Sequence, residues 1–243
     1  MALFTISDLH LSLNSVTDKS MEVFGKRWQN YVEKLKKNWC SLVSENDTVV
    51  LAGDISWALS LDEAEEDFRF IESLPGKKII GKGNHDFWWQ TMNKLNKFKE
   101  KNALASVSFL YNNAFVADDF IICGTRGWFY DPTCDNIPAD TDFAKIIARE
   151  TVRLCMSLDA ANKLKEENPE KEILVFLHFP AVWADKSADE ILAVLKEYDV
   201  GRCFYGHIHG SYDMTGNFEA EGIRFTITSA DFLHFTPLFI AKE

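Results

Sequence analysis

Short apolar runs alternate with longer amphipathic stretches over the first hundred residues, and several of the runs end at Asp, His or Asn. Such runs predict buried strands, while apolar residues at three- and four-residue spacing predict helices. The predicted strands are residues 2–7, 48–52 and 77–80, and the predicted helices are residues 21–44, 61–73 and 87–99. Strand and helix in alternation predict a parallel sheet with crossover helices.

The rest of the chain is predicted to contain both parallel and antiparallel strands. Turn residues separate three short apolar runs, an arrangement typical of hairpins. A long helix is expected from about residue 140 to residue 167, and residues 223–240 are expected to form a final hairpin through Ala230-Asp231. The other predicted elements are strands at residues 106–111, 114–116, 120–123, 173–177 and 202–205, and a helix at residues 188–198.

Length and composition indicate a globular protein with one domain. The 243 residues contain no Pro/Gly/Ser-rich linker and no internal repeat, so we expect a single domain over residues 1–243. No apolar run approaches the ~20 residues of a membrane span, and no association with a membrane is expected. The five cysteines include no C-x-x-C pair. Together with the lack of a leader-like N-terminus, this favours a reducing, cytoplasmic location.

The net charge of -11 bears on the choice of partner. An acidic surface repels nucleic acid backbones, so a long polyanion is a less favoured substrate, although the charge does not exclude a local basic cleft. The strongest basic cluster is the run from Lys94 to Lys101, which is predicted to be the solvated end of a helix.

Five predicted strands end in polar side chains that can bind metal ions. Five of the six histidines are among them, which a random distribution would not produce. The seven oxygen and nitrogen ligands are too many for one tetrahedral zinc ion. They suit two divalent ions such as Mn, Fe or Zn, bridged by one carboxylate and able to clamp a phosphate and activate a water. The blocks are Asp8-x-His10, Gly53-Asp54, Gly83-Asn84-His85-Asp86, His178 and Gly206-His207-x-His209.

This ordered set of blocks resembles that of the calcineurin-like metallophosphoesterases, and most closely their small prokaryotic phosphohydrolases. The chain lacks the Asp-Arg-Gly continuation of the protein-phosphatase branch, because Ile55-Ser56-Trp57 follows Asp54. The resemblance implies an α/β fold, a four-layer αββα sandwich with two mixed β-sheets flanked by helices. It also implies a dinuclear metal-dependent phosphoesterase that hydrolyses a phosphodiester or phosphomonoester, expected to be a small molecule, by attack of a metal-activated water.

The resemblance also gives a role to each matching position. His85 would remain unligated and would stabilise the transition state or protonate the leaving oxygen, which suits an imidazole that titrates near neutral pH. The implied metal ligands are Asp8, His10 and His209 for the first ion, Asn84, His178 and His207 for the second, and Asp54 as the bridge.

Several positions keep two interpretations. Arg126 either binds the substrate phosphate or forms a surface salt bridge. Asp86 is expected to cap the N-terminus of a helix, and His234, outside every block, is expected to be structural. Tryptophans near the blocks either line a pocket or belong to the core; they are Trp57, Trp88, Trp89, Trp128 and Trp183.

Two other functions stay open beside the phosphoesterase. A nuclease of the same family would need a basic groove. A non-catalytic metal-binding interaction module with this fold is expected to have lost ligands or the unligated histidine, whereas this chain retains all of them.

Overall fold

The computed structural model describes residues 1–14, 19–128 and 142–242, which form two mixed sheets flanked by helices. The helices are α1 (Tyr31–Leu42), α2 (Glu65–Ser73), α3 (Met92–Lys101), α4 (Phe143–Glu167) and α5 (Asp189–Glu197). The strands are β1 (Leu3–Ile6), β2 (Thr48–Leu51), β3 (Lys77–Ile80), β4 (Val107–Phe109), β5 (Phe115–Ala117), β6 (Phe120–Thr125), β7 (Glu172–Leu177), β8 (Val182–Trp183), β9 (Lys186–Ser187), β10 (Arg202–Tyr205), β11 (Asn217–Ala220), β12 (Ile223–Ile227) and β13 (Leu238–Ile240).

Each large sheet has a parallel centre, with one antiparallel edge strand in the first sheet and two in the second. The first sheet has the order β13-β1-β2-β3-β4, in which β1 to β4 are parallel and β13 is antiparallel to β1. The second has the order β11-β12-β10-β7-β6-β5, with β11 and β5 antiparallel to their neighbours. Helices α1, α2 and α3 are the crossovers of the first sheet, as the alternating pattern predicts.

The alternation of side chains along the strands builds four layers. In β2, Val49 and Leu51 pack in the core that contains residues of α1, α2 and α3. Val50, between them, packs in a second core with Phe176 and Phe204 of the other sheet. The far face of the second sheet packs against α4 and α5 in a third core. The order helix, sheet, sheet, helix confirms the predicted αββα architecture.

The long helix predicted for residues 21–44 is wrong. A 3-10 turn occupies Met21–Phe24, and α1 begins only at Tyr31. Between them Gly25 has φ 110° and Asn30 has φ 51°, left-handed values that end a right-handed helix.

The helix predicted from residue 87 is also misplaced. Its first residues form a turn in which the Trp89 N–H donates to the Asp86 carbonyl oxygen over 3.1 Å. Helix α3 therefore starts only at Met92.

The final hairpin predicted for residues 223–240 is wrong as well. Strand β12 pairs with β10 and β11 in the second sheet, whereas β13 pairs with β1 in the first. Of the three short runs predicted as hairpins, β4 joins β3 in parallel and only β5 and β6 pair as a hairpin. Strand β11 was not predicted. Local turn residues cannot show which of two sheets a strand joins, because that choice depends on distant partners.

Some expectations lie outside the described residues. The predicted loop with Pro132 and Pro138 and the predicted helix start near residue 140 are among them, and α4 is described from Phe143. Within the described ranges, no helix is both long enough and apolar enough to cross a membrane.

Candidate metal centre

The carboxyl ends of parallel strands from both sheets meet at one edge of the sandwich. Ser7, directly after β1, connects the sheets: its N–H donates to the Thr228 carbonyl oxygen over 2.8 Å. Its own carbonyl oxygen accepts from the Ala230 N–H over 2.9 Å. The loops that follow β1, β2, β3, β7 and β10 are thereby gathered in one place, as the fold predicts for polar residues at strand ends.

Four of the predicted ligands have left-handed backbone conformations. The φ angles are 58° for Asp8, 46° for His10, 53° for Asp54 and 71° for His207. Non-glycine residues rarely adopt this conformation, and such strain concentrates at functional sites. Backbone bonds hold it in place, since the His10 N–H donates to the Asp54 carbonyl oxygen over 3.0 Å.

Two motif glycines allow the loops to approach the buried carboxylates. A Cβ atom at Gly83 would lie 2.0 Å from Asp54 Oδ1, and one at Gly206 would lie 2.4 Å from Asp8 Oδ2. Any side chain at either position would displace the carboxylate beside it. The glycines that precede Asn84 and His207 in sequence are thus required by the packing of the site.

Asp8, His10 and His209 form the first group of potential ligands. One ligand atom from each lies within 4.8 Å of the others. The Nε2 atoms of His10 and His209 are 3.2 Å apart, and Asp8 Oδ1 is 3.5 Å from His209 Nε2. This is the set that the resemblance implies for the first ion.

Asn84, His178 and His207 form the second group. Asn84 Oδ1 lies 2.6 Å from His178 Nε2 and 3.0 Å from His207 Nδ1. The three side chains come from two different sheets, since Asn84 follows β3 and the histidines follow β7 and β10. The structure thus brings together the three residues implied for the second ion.

Asp54 lies between the two groups. Its Oδ2 atom is 3.7 Å from His10 Nε2 and 3.4 Å from His178 Nε2. Asp8 is also within reach of His178, at 3.9 Å from Nδ1, but that nitrogen donates to the Ala52 carbonyl oxygen over 3.1 Å. Because the other ring nitrogen of His178, Nε2, faces Asn84 and Asp54, Asp54 has the better position for a bridge.

Asp231 supports the site and was missed as a functional residue. Its Oδ1 atom is 2.9 Å from His209 Nδ1, and its Oδ2 atom accepts from the Gly210 N–H and the Tyr212 hydroxyl. A carboxylate on the second imidazole nitrogen fixes the orientation of a metal-binding histidine. The sequence contained the indication, because Asp231 also follows an apolar run, the one that forms β12.

Asp86 is not a helix cap, in contrast to the prediction. Its carboxylate accepts from the backbone N–H groups of Asp54, Ile55 and Gly83 at 2.9, 2.8 and 2.7 Å, and from Trp88 Nε1 at 3.0 Å. It is 1% exposed. Asp86 thus ties the loop after β2 to the loop after β3, and so sets the distance between Asp54 and Asn84.

His85 lies beside the potential ligands with its ring against an aromatic wall. Its ring centroid is 4.5 Å from that of Trp57 and 5.6 Å from that of His10. Trp57 also stacks on His10 at 4.8 Å. The ring centroid of Trp28, which lies within the range of the predicted helix 21–44, is 5.7 Å from that of His209. Of the other tryptophans, Trp88 and Trp89 belong to the core.

Arg126 follows β6 and pairs with a buried carboxylate. Its Nη2 atom is 3.3 Å from Glu150 Oε1, and its guanidinium lies 5.0 Å from the centroid of the Trp128 ring. Because Glu150 is fully buried, this is not the surface salt bridge that was considered. His234 is exposed, and its Nε2 atom lies 3.4 Å from Nη1 of Arg27.

Burial and the neighbouring charges shift the pKa values of the site in opposite directions. Burial lowers the pKa of His10 to about 4. For His178, burial is outweighed by Asp54 and Asp8, which raise its pKa to about 9. For His209, burial is outweighed by Asp231 and Asp8, and its pKa rises to about 10. Despite burial, the histidines hold the pKa of Asp8 and of Asp54 below its usual range.

The arrangement fits divalent cations. Asp8 and Asp54 are at most 1% exposed, and their ion pairs within the described part of the chain are to histidines. The Nε2 atoms of three of these histidines lie 3.4 to 3.7 Å from the carboxylate oxygens, which places several potential metal ligands together in a buried space. Cations bound between them would compensate these anions, and the mixed N/O set suits Mn, Fe or Zn.

The chain is similar to a family of phosphoesterases and to solved structures of the same fold. A family model described as calcineurin-like phosphoesterase matches residues 1–211. A phosphopantetheinyl hydrolase from Mycobacterium tuberculosis is 15% identical with a TM-score of 0.56, and the match covers 100% of this chain and 96% of that one. The structure of TT1561 from Thermus thermophilus is 10% identical with a TM-score of 0.54, covering 98% and 97%. No curated protein matches the chain. At these identities the structural likeness shows the fold alone.

Replacing Asp86 by Ala should destabilise the metal-free protein by about 2 kcal/mol or more, because several buried N–H groups would lose their acceptor. Urea unfolding of the metal-free protein measures this. Asp62→Ala, at a side chain that is 89% exposed, is the matched control and should change stability by less than about 0.5 kcal/mol. Equal effects of the two substitutions would show that Asp86 does not hold the loops together.

Binding of Mn²⁺ at pH 7 should release protons, because His178 and His209, with pKa values of about 9 and 10, are protonated in the metal-free protein and must bind metal in the neutral form. The affinity for Mn²⁺ should therefore rise between pH 7 and pH 9. Calorimetry in two buffers of different ionisation enthalpy measures the protons released. The Asp231→Asn variant should release fewer protons when it binds Mn²⁺. Identical heats in both buffers would contradict the protonated state of these histidines.

Proposed function

This chain belongs to the calcineurin-like phosphoesterase family, and we propose that it hydrolyses a phosphomonoester or phosphodiester of a small molecule with the help of two divalent metal ions. The observation that carries the proposal is the position of Asp54 between two groups of three potential ligands. One ion alone would leave half of these donors without a function.

The residues that would hold the ions are the seven gathered at the strand ends. They are Asp8, His10 and His209 for one ion, Asn84, His178 and His207 for the other, and Asp54 for both. When bound, two such ions neutralise the charge of a phosphate group and lower the pKa of water. Mn, Fe and Zn all suit the donor set.

Asp54 has a further task within the chain itself. Its Oδ1 atom accepts from the His85 N–H over 2.7 Å. The residue proposed to lie between the ions therefore also positions the loop that carries His85. Any displacement of Asp54 would move the imidazole relative to the substrate, so the two residues should act as one unit.

His85 is proposed to donate a proton to the leaving oxygen or to stabilise the transition state. Burial lowers the pKa of its imidazole, partly opposed by Asp54. An anionic phosphate beside the ring favours the protonated form. Substrate binding would thus help to charge His85 before the ester bond breaks, which suits a general acid.

Two tryptophans pack against the imidazoles on one side of the centre. Trp57 covers the rings of His10 and His85, and Trp28 lies against His209. These contacts hold the imidazoles in one orientation.

We also propose that residues 1–243 form one domain that works in the cytosol. Support for one domain comes from the site itself, which takes residues from both sheets. Support for a reducing compartment comes from Cys123 and Cys203, which are buried as free thiols.

A nuclease activity is not favoured, because Lys94 and Lys97 are exposed on α3 as a solvated helix face.

The Mn²⁺-loaded protein should hydrolyse bis-(p-nitrophenyl) phosphate or p-nitrophenyl phosphate, and the faster of the two identifies the ester class. Asp54→Ala should abolish turnover and reduce bound Mn²⁺. His85→Asn should lower kcat about 10²- to 10⁴-fold while bound Mn²⁺ stays unchanged. His234→Asn, at an exposed histidine, is the matched control and should behave as the wild type.

Full activity of Asp54→Ala would contradict the proposed function. If the wild type binds Mn²⁺ but hydrolyses neither of these esters nor single-stranded DNA, the result would instead favour a non-catalytic interaction module.

A further inference from the structure

A cavity of about 340 Å³ opens directly beside the first group of potential ligands. Its inner wall contains His10, His85 and His209. Met21, Phe24, Trp28 and Trp57 form an apolar wall, and the lining is completed by Gly210, Tyr212 and Asp231. The volume lies within the range of small-molecule sites. In the phosphoesterase chemistry proposed above, Trp28 and Trp57 orient the three histidines, whereas Phe24 has no task.

The apolar wall contains side chains that are unusually exposed for their type. Phe24 is 68% exposed and its neighbour Val23 is 81% exposed, both on the 3-10 turn Met21–Phe24. Beyond Phe24 the surface continues as a second hollow that Val23 and Trp57 also line. Large apolar side chains that remain in water next to a cavity are typical of a binding surface.

The backbone holds this turn in a fixed position. Ser20 caps it, accepting from the Glu22 N–H, and Glu22 in turn accepts from the Asn30 N–H over 2.8 Å. Met21, on the inner side of the turn, is 6% exposed and belongs to the core of the first sheet. Phe24 is thus presented to the cavity by an anchored segment.

The position of His85 indicates which part of a substrate the cavity would take. His85 lines the cavity, whereas Asn84, His178 and His207 are not among the residues that line it. A proton donated by His85 passes to the oxygen of the leaving group. The leaving group of a phosphate bound at the metal centre would therefore extend from His85 towards Phe24 and Trp28.

From this continuity we propose that the cavity is the leaving-group subsite, and that the substrate is a phosphate ester of a bulky apolar alcohol or phenol. This inference rests on the proposed function, since it assumes a phosphate at the metal centre. Met21, Phe24 and Trp28 are the specificity-determining residues. A chain and a ring share the apolar chemistry that this wall recognises, and the test separates them.

Hydrolysis-inert phosphonates test the subsite without requiring turnover. Calorimetry with the Mn²⁺-loaded protein compares ethyl-, butyl- and hexylphosphonate with phenyl- and naphthylphosphonate. We expect Kd to fall about fourfold for each added methylene, the value for transfer of a methylene from water to an apolar site. If affinity rises more steeply across the alkyl series, the cavity prefers a chain as leaving group. If it rises more steeply from phenyl to naphthyl, the cavity prefers a ring.

Substitutions at Phe24 test whether the gain in affinity comes from the apolar wall. Phe24→Ser should flatten the dependence on chain length, and Phe24→Leu should restore most of it. The control Phe239→Ala truncates another half-exposed phenylalanine, 57% exposed on β13, and should keep the wild-type dependence.

Three results would overturn the proposal. A Kd that does not depend on apolar bulk would reject the subsite while leaving the phosphoesterase intact. No binding of any phosphonate would reject the phosphate site and the subsite together. Phe24→Ser could also leave the dependence of Kd on chain length unchanged and abolish a dimer that light scattering detects for the wild type. The exposed face would then bind a second copy of this chain instead of the leaving group.

Discussion

Two carboxylates that have no access to water determine how the rest of this protein is arranged. Asp8 and Asp54 lie where the two sheets meet, and an uncompensated charge in such a place costs several kcal/mol. Histidines from three loops surround them, and the pKa values of His178 and His209 rise in response. The interior of the fold thus contains negatively charged carboxylates, and bound cations would compensate their charge.

The loops that carry these residues are held by the backbone more than by packing. Left-handed conformations at four ligand positions, close approach at Gly83 and Gly206, and the Asp86 carboxylate that ties two loops all act on the same few residues. Such a network leaves little freedom for the donors to move apart. The site is preorganised, and the apolar wall beside it adds a surface that a phosphate group alone does not need.

The parallel strands of the first sheet could be predicted, because buried strands produce clear apolar runs, whereas the four-layer sandwich was implied by the resemblance of the motif blocks. The predicted donors, which follow those runs, lie together at one edge of the two sheets. Sequence reasoning failed where long-range partners decide the outcome. The pairing of β13 with β1 depends on residues more than two hundred positions apart. The break before α1 depends on backbone angles at Gly25 and Asn30 that the apolar stripe hides. Asp86 resembled a helix cap because two of its donors, the N–H groups of Asp54 and Ile55, come from the distant loop after β2. The cavity beside Phe24 was also beyond prediction, since its walls meet only in the folded chain.

The most direct test of the central claim is an anomalous diffraction map of crystals grown with Mn²⁺. The account predicts two peaks about 3.5–4 Å apart. One should lie among Asp8, His10 and His209 and the other among Asn84, His178 and His207, with Asp54 touching both. A single peak, or two peaks that do not share Asp54, would contradict the dinuclear centre.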